Sequence, residues 1–113
     1  MSRPKKCRKV CCMPLVDKFV PFGNNGRSNS VVMTIDEYET IRLIDKEGFS
    51  QEECSKYMNV ARTTIQNVYN SARKKIAEAL VLGVPLYING GDYTLCNKKE
   101  YHSLCGKCKE HNI

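Results

Sequence analysis

The sequence predicts a mainly α domain organised round a helix-turn-helix, followed by a C-terminal β-hairpin and a cysteine-rich tail. Apolar residues recur at helical spacing through residues 31–83, and two helix-start signatures divide that block. Beyond it, "VPLYINGGDYTLC" reads as two short strands round "NGGD", whose Gly-Gly centre suits the positive φ angles of a tight turn. A chain of 113 residues fits one small domain with a short appendage.

Four segments follow from composition. Residues 1–22 form a basic, cysteine-rich arm punctuated by Pro4, Pro14 and Pro21, extended and with room for one short strand. Residues 23–30, "GNNGRSNS", make a flexible polar loop. Residues 31–83 form the helical block, and residues 84–113 the hairpin and tail.

Within the block each boundary has a local cause. Thr34 can cap a first helix, since a side-chain oxygen there accepts a first-turn N–H, and Asp36 and Glu37 suit the positive end of the helix dipole. Ile35, Tyr38, Ile41 and Ile44 would form its buried face, and Gly48 ends it. Ser50 and Glu53 have the capping-box spacing and start a second helix. Asn59 tolerates the left-handed conformation that a sharp turn needs. A third, longer helix starts at Arg62, with Ile65, Val68, Ala72, Ile76 and Leu80 as its buried stripe. It stops at Gly83, with Pro85 just beyond, while Ala61 at its N-cap has no oxygen with which to cap.

The second and third helices carry the spacing of a DNA-binding helix-turn-helix. Cys54, Met58 and Val60 fill apolar contacts, Ser55 is the small residue at the crossing, and Ile65 and Val68 lock the second member of the pair. The side chains left outside have the chemistry to read base edges. Arg62 can donate twice to guanine, Gln66 and Asn67 can pair with adenine, and Thr63 and Thr64 offer a hydroxyl and a methyl. Asn70, Arg73 and Lys74 would run on to phosphates, which position without specifying. No Asp or Glu lies between Cys54 and Ala77, and the net charge of +6 favours a polyanionic partner, here double-stranded DNA.

Together, "RPKKCRKV", "MTIDEYETIRLIDKEGFSQEECSKYMNVARTTIQNVYNSARKKIAEAL" and "GGDYTLC" resemble an uncharacterised prokaryotic family known as domain of unknown function 134. The portion "SQEEC…VARTTIQNVYNSARKKIAEAL" also looks like region four of sigma factors. The resemblance implies a DNA-binding protein with a sigma-region-four-like helix-turn-helix, a role in transcription regulation and no enzymatic activity. Many such domains bind as dimers, so a homodimer is expected, with the open edges of the hairpin as one place to form it.

The two ends of the chain leave alternatives open. Arg3, Lys5, Lys6, Arg8 and Lys9 could track phosphates or enter a minor groove, or simply solubilise the terminus. No apolar run approaches the ~20 residues of a membrane helix, and the basic start leads into no signal-peptide core. A cytoplasmic, reducing location follows, in which seven cysteines read as metal ligands or buried thiols rather than a disulfide framework. Cys54 is a small buried hydrophobe of the motif. Cys105 and Cys108 have the knuckle spacing of a zinc site, with Cys96 as third ligand. The fourth ligand is open among His111, His102, Cys11 and Cys7; an iron–sulfur cluster is the alternative occupant, and an iron–sulfur or redox accessory protein with the helices as scaffold the alternative function. With four protein donors the site would be structural rather than catalytic.

Overall fold

The computed structural model describes residues 8–23 and 29–95. Its order is β1 (Arg8–Val10), β2 (Lys18–Phe19), β3 (Val31–Met33), α1 (Ile35–Thr40), a π-helical continuation (Ile41–Lys46), α2 (Gln51–Met58), α3 (Arg62–Leu82), β4 (Leu86–Ile88) and β5 (Tyr93–Leu95). The architecture is mainly α with a few short strands.

Local chemistry sets the helix boundaries. Thr34 and Glu37 form a reciprocal capping box: the Glu37 N–H donates to Thr34 Oγ1 at 3.3 Å and the Thr34 N–H to Glu37 Oε1 at 2.9 Å. Ser50 and Glu53 repeat the device at the start of α2, at 3.0 and 2.8 Å. Gly83 ends α3 with φ 68°, in the left-handed region where glycine carries no Cβ penalty.

The first helical segment packs the face expected from its three-residue recurrence against the core and buries further residues beside it. Ile35 and Leu43 are fully buried, together with Glu39, Thr40 and Arg42, whereas Tyr38, Ile41 and Ile44 are half-buried. The π-helical turn, in which the Glu47 N–H bonds to the Arg42 carbonyl at 2.9 Å, widens the helix and rotates its face. It also aims Arg42 inward. Its guanidinium meets the Glu39 carboxylate through Nε at 2.8 Å and Nη2 at 2.7 Å, a bidentate pair with both partners buried.

On α3 the stripe runs Ile65, Tyr69, Ala72 and Ala79, with Val68 and Ile76 half-buried beside it. Leu80, expected in the core, is 79% exposed. A stripe repeating at seven residues passes through 65, 72 and 79, so Ala79 faces inward and Leu80 lies about 100° round the helix. The core gathers Val10, Met33, Ile35, Leu43, Cys54, Met58, Ile65, Ala72 and Ile88.

The expected hairpin of residues 84–96 does not form. β4 is the centre of a three-stranded sheet, order β2-β4-β3, antiparallel to β2 and parallel to β3. Both its edges are thus occupied, and β5 pairs instead with β1, in parallel, with Arg8 opposite Tyr93 and Val10 opposite Leu95. Gly90 and Gly91 between them do take positive φ, 77° and 99°, but without closing a hairpin. The Ile35 N–H donates to the Gly90 carbonyl at 2.9 Å, and a Cβ on Gly91 would collide with Thr34 and Asp36. The arm is likewise more than an extended tail: its described portion supplies two strands, and Val10 is fully buried. The block from residue 31 opens on β3, whose return to β4 carries all the helices as one crossover.

Candidate nucleic-acid interface

α2 packs against α3 across a short turn. Asn59 adopts φ 63° and ψ 47°, the left-handed geometry. The Asn59 N–H donates to the Lys56 carbonyl at 3.3 Å and the Val60 N–H to the Ser55 carbonyl at 3.0 Å. These are the two bonds of a Schellman ending, and they satisfy the Ser55 and Lys56 carbonyls as the chain turns. Behind the turn, Cys54, Met58 and Ile65 are fully buried and Ser55 is 6% exposed, its hydroxyl donating to the Glu52 carbonyl at 2.7 Å. Burial, with Glu39 nearby, pushes the Cys54 thiol up to about 12, so it sits in the core as a neutral, unreactive group.

The outward face is polar. Arg62, Thr63, Gln66, Asn67, Asn70, Arg73 and Lys74 are all exposed, and Thr64 is half-buried. Ala61 begins α3 without a side-chain cap, which leaves the first-turn N–H groups with no side-chain acceptor from the cap position. The cations on this helix differ in their engagements. Arg62 and Lys74 make no ion pair among the described residues. Arg73 Nε lies 3.9 Å from Asp45 Oδ2, with its guanidinium 5.4 Å from the Tyr69 ring centroid. The Tyr69 hydroxyl donates to Asp45 Oδ1 at 2.7 Å, and burial together with that carboxylate raises its pKa. Asp45 therefore holds Arg73 beside the helix, where a phosphate would have to compete with it. Lys75 is bound into the fold, its Nζ 2.9 Å from Glu37 Oε1.

Glu37 is a junction that spacing alone did not reveal. Its carboxylate accepts from the Thr34 N–H, from Ser71 Oγ at 2.7 Å and from Lys75, so one side chain caps α1 and fastens it to α3. Burial by itself would raise its pKa, but the Lys75, Ser71 and Thr34 hydrogen bonds outweigh that and hold it below the usual carboxylate range. Arg8, for which phosphate tracking and simple solubilisation were both open, donates to the buried Asp36 at 2.9 Å. Arg3, Lys5 and Lys6 lie outside the described residues.

Residues 1–96 match the family described as Protein of unknown function DUF134. The chain belongs to this family. A UPF0251 protein of Desulfitobacterium hafniense (strain Y51) is 62% identical over 98 residues, covering 86% of this chain and 78% of that protein. One from Clostridium novyi (strain NT) is 45% identical over 111 residues, covering 97% and 74%. One from Caldicellulosiruptor bescii is 43% identical over 110 residues, covering 97% and 77%. No solved structure matches.

The match of the DUF134 family runs to residue 96, so it spans the whole helical region and stops short of "CGKC". Of the residues expected to hold a metal, Cys96, Cys105, Cys108 and His111 lie outside the described residues. Cys11, one candidate for the fourth ligand, is disulfide-bonded. Its backbone N–H donates to Glu39 Oε2 at 3.1 Å. Among the described residues no group of three or more His, Cys, Asp or Glu side chains is placed to hold a metal. Among them, too, no helix is long and apolar enough to cross a membrane.

Proposed function

We propose that this DUF134 chain is a sequence-specific binder of double-stranded DNA, acting in transcription regulation through a sigma-region-four-like helix-turn-helix. The carrying observation is the Asn59 turn joining α2 to an α3 whose exposed face from Arg62 to Lys74 has Arg, Lys, Thr, Gln and Asn side chains and no carboxylate. In this reading α3 enters the major groove, Arg62, Thr63, Thr64, Gln66 and Asn67 meet base edges, and Asn70, Arg73 and Lys74 meet phosphate. The uncapped N–H groups after Ala61 add donors for a phosphate oxygen. Arg3, Lys5 and Lys6 extend the basic track by sequence alone. The active species is a homodimer, and no enzymatic step is assigned to it.

Salt titration of binding to labelled random duplex tests this directly. Affinity falls steeply with salt when phosphate contacts release counterions, and no binding at low salt overturns the reading. Selection from a random DNA pool then yields the preferred site.

The tail is proposed to hold structural zinc through Cys96, Cys105 and Cys108, on donor chemistry and spacing alone, with His111 as the nearest remaining donor. Elemental analysis of reduced, unchelated protein should give about one zinc per chain. Iron with a brown colour would replace zinc by a cluster, and neither metal would remove the site.

A further inference from the structure

α3 changes character along its length. Its N-terminal half is polar outside, whereas its C-terminal end forms one wall of an apolar groove of about 410 Å3, with Ile76, Ala79 and Leu80 facing Phe19, Val20 and Leu86. No residue lining this groove is charged. Leu80 is 79% exposed, Val20 60% and Phe19 53%, and Phe22, just beyond Pro21, is wholly exposed. With fully exposed aromatic side chains contributing ~150–250 Å2 each, these four present on the order of 500 Å2 per copy. That lies in the range of the largest patches monomers expose, which are often functional, and approaches the ~800 Å2 per partner of a standard interface.

We propose that this groove is the contact between two copies of the chain. Three observations select a second copy as occupant. The chain carries a net charge of +6, so two copies repel over most of their surfaces, and an uncharged face is where they can meet. Of the hairpin edges anticipated as a contact, both of β4 are already taken by β2 and β3 and one of β5 by β1. The third is reach, and it rests on the DNA-binding reading. Gln66 and Leu80 are 14 residues apart on α3, about 21 Å at 1.5 Å per residue. A two-fold axis near Leu80 therefore places the two Gln66 side chains up to ~42 Å apart, and a bend between the helices brings them to the ~34–36 Å of successive major grooves.

Sedimentation of the full chain without DNA, from ~1 to ~200 μM, tests the contact independently of DNA binding. The expected result is a mass rising from one chain to two, with Leu80→Glu and Val20→Glu each shifting the dissociation constant upward at least tenfold. Both positions are exposed in the single chain, so far-UV circular dichroism should be unchanged, and either variant suffices if the other misfolds. A single-chain mass throughout, or a dimer unaffected by both variants, overturns the proposal. So does binding of the monomer to phosphatidylcholine vesicles in place of dimerisation. A dimer broken by these variants supports the contact even if salt titration shows no DNA binding, in which case only the function falls.

Discussion

Arg42 and Arg62 lie twenty positions apart and meet opposite surroundings. Arg42 is 6% exposed and clamped to Glu39, whose own exposure is nil. Burial alone would lower its pKa, but the Glu39 hydrogen bond overcomes that and raises it, so Arg42 stays charged inside the core. Arg62 is exposed and has no ion partner among the described residues. The contrast extends to their segments. Glu37, Glu39 and Arg42 of the first helical segment turn inward, Glu37 onto Lys75 of α3, while α3 turns Arg62, Gln66, Asn67 and Lys74 outward. Residue type alone does not distinguish a structural arginine from a candidate reading arginine. The partner within reach does.

Removing one partner of the buried pair should have the largest effect. Arg42→Ala leaves the Glu39 carboxylate buried and uncompensated, which should cost about 3–5 kcal/mol in urea unfolding. A loss under 1 kcal/mol would place Arg42 with the exposed cations and break the contrast. Arg62→Ala should do the reverse. Its unfolding free energy should stay within ~0.5 kcal/mol of the parent, while affinity for a selected duplex falls by about 1–3 kcal/mol. Equal loss on selected and random duplexes would reassign Arg62 to phosphate.

The turn between α2 and α3 should respond at an intermediate level. Asn59→Ala places a Cβ residue without Asn's local hydrogen bonding at φ 63°, and about 1 kcal/mol of stability should be lost. Asn59→Gly should match or exceed the parent, and equal losses for both would mean that conformation is not what Asn59 supplies. The smallest effect is a pH dependence. Glu37 has a folded pKa below its unfolded value, so its contribution is present above the ordinary carboxylate range and disappears as pH falls through the folded value. Lys75→Met should therefore destabilise at pH 7 and converge with the parent in acid. A gap independent of pH would show that Lys75 acts by packing rather than by holding a carboxylate.

Features of short range were legible in advance. The capping boxes at Thr34 and Ser50, the left-handed Asn59, the capless Ala61 and the stop at Gly83 each depend on a few neighbouring residues. The buried stripe of α3 was legible at Ile65 and Ala72 but misplaced at its end, because a large Leu80 looks more like core than Ala79 does. Helix phase, carried from Ile65 through Ala72, overrules size there. The hairpin failed for a different reason. Two strands separated by "NGGD" pair locally only if their edges are free, and β2 and β3 reach β4 from far along the chain. Nor does any spacing announce that Glu37 meets Ser71 and Lys75, or that Arg8 meets Asp36 across 28 residues.

By itself the sequence determined where helices begin and turn, since those choices are made by hydrogen bonds and dihedral preferences within one or two turns of chain. It also determined the acid-free run that α3 carries. Which charges are buried, which strand pairs with which, and that Leu80 faces a groove instead of the core were decided by the tertiary structure. Those outcomes depend on desolvation and on competition among segments distant in sequence, and both exist only once the chain has closed on itself.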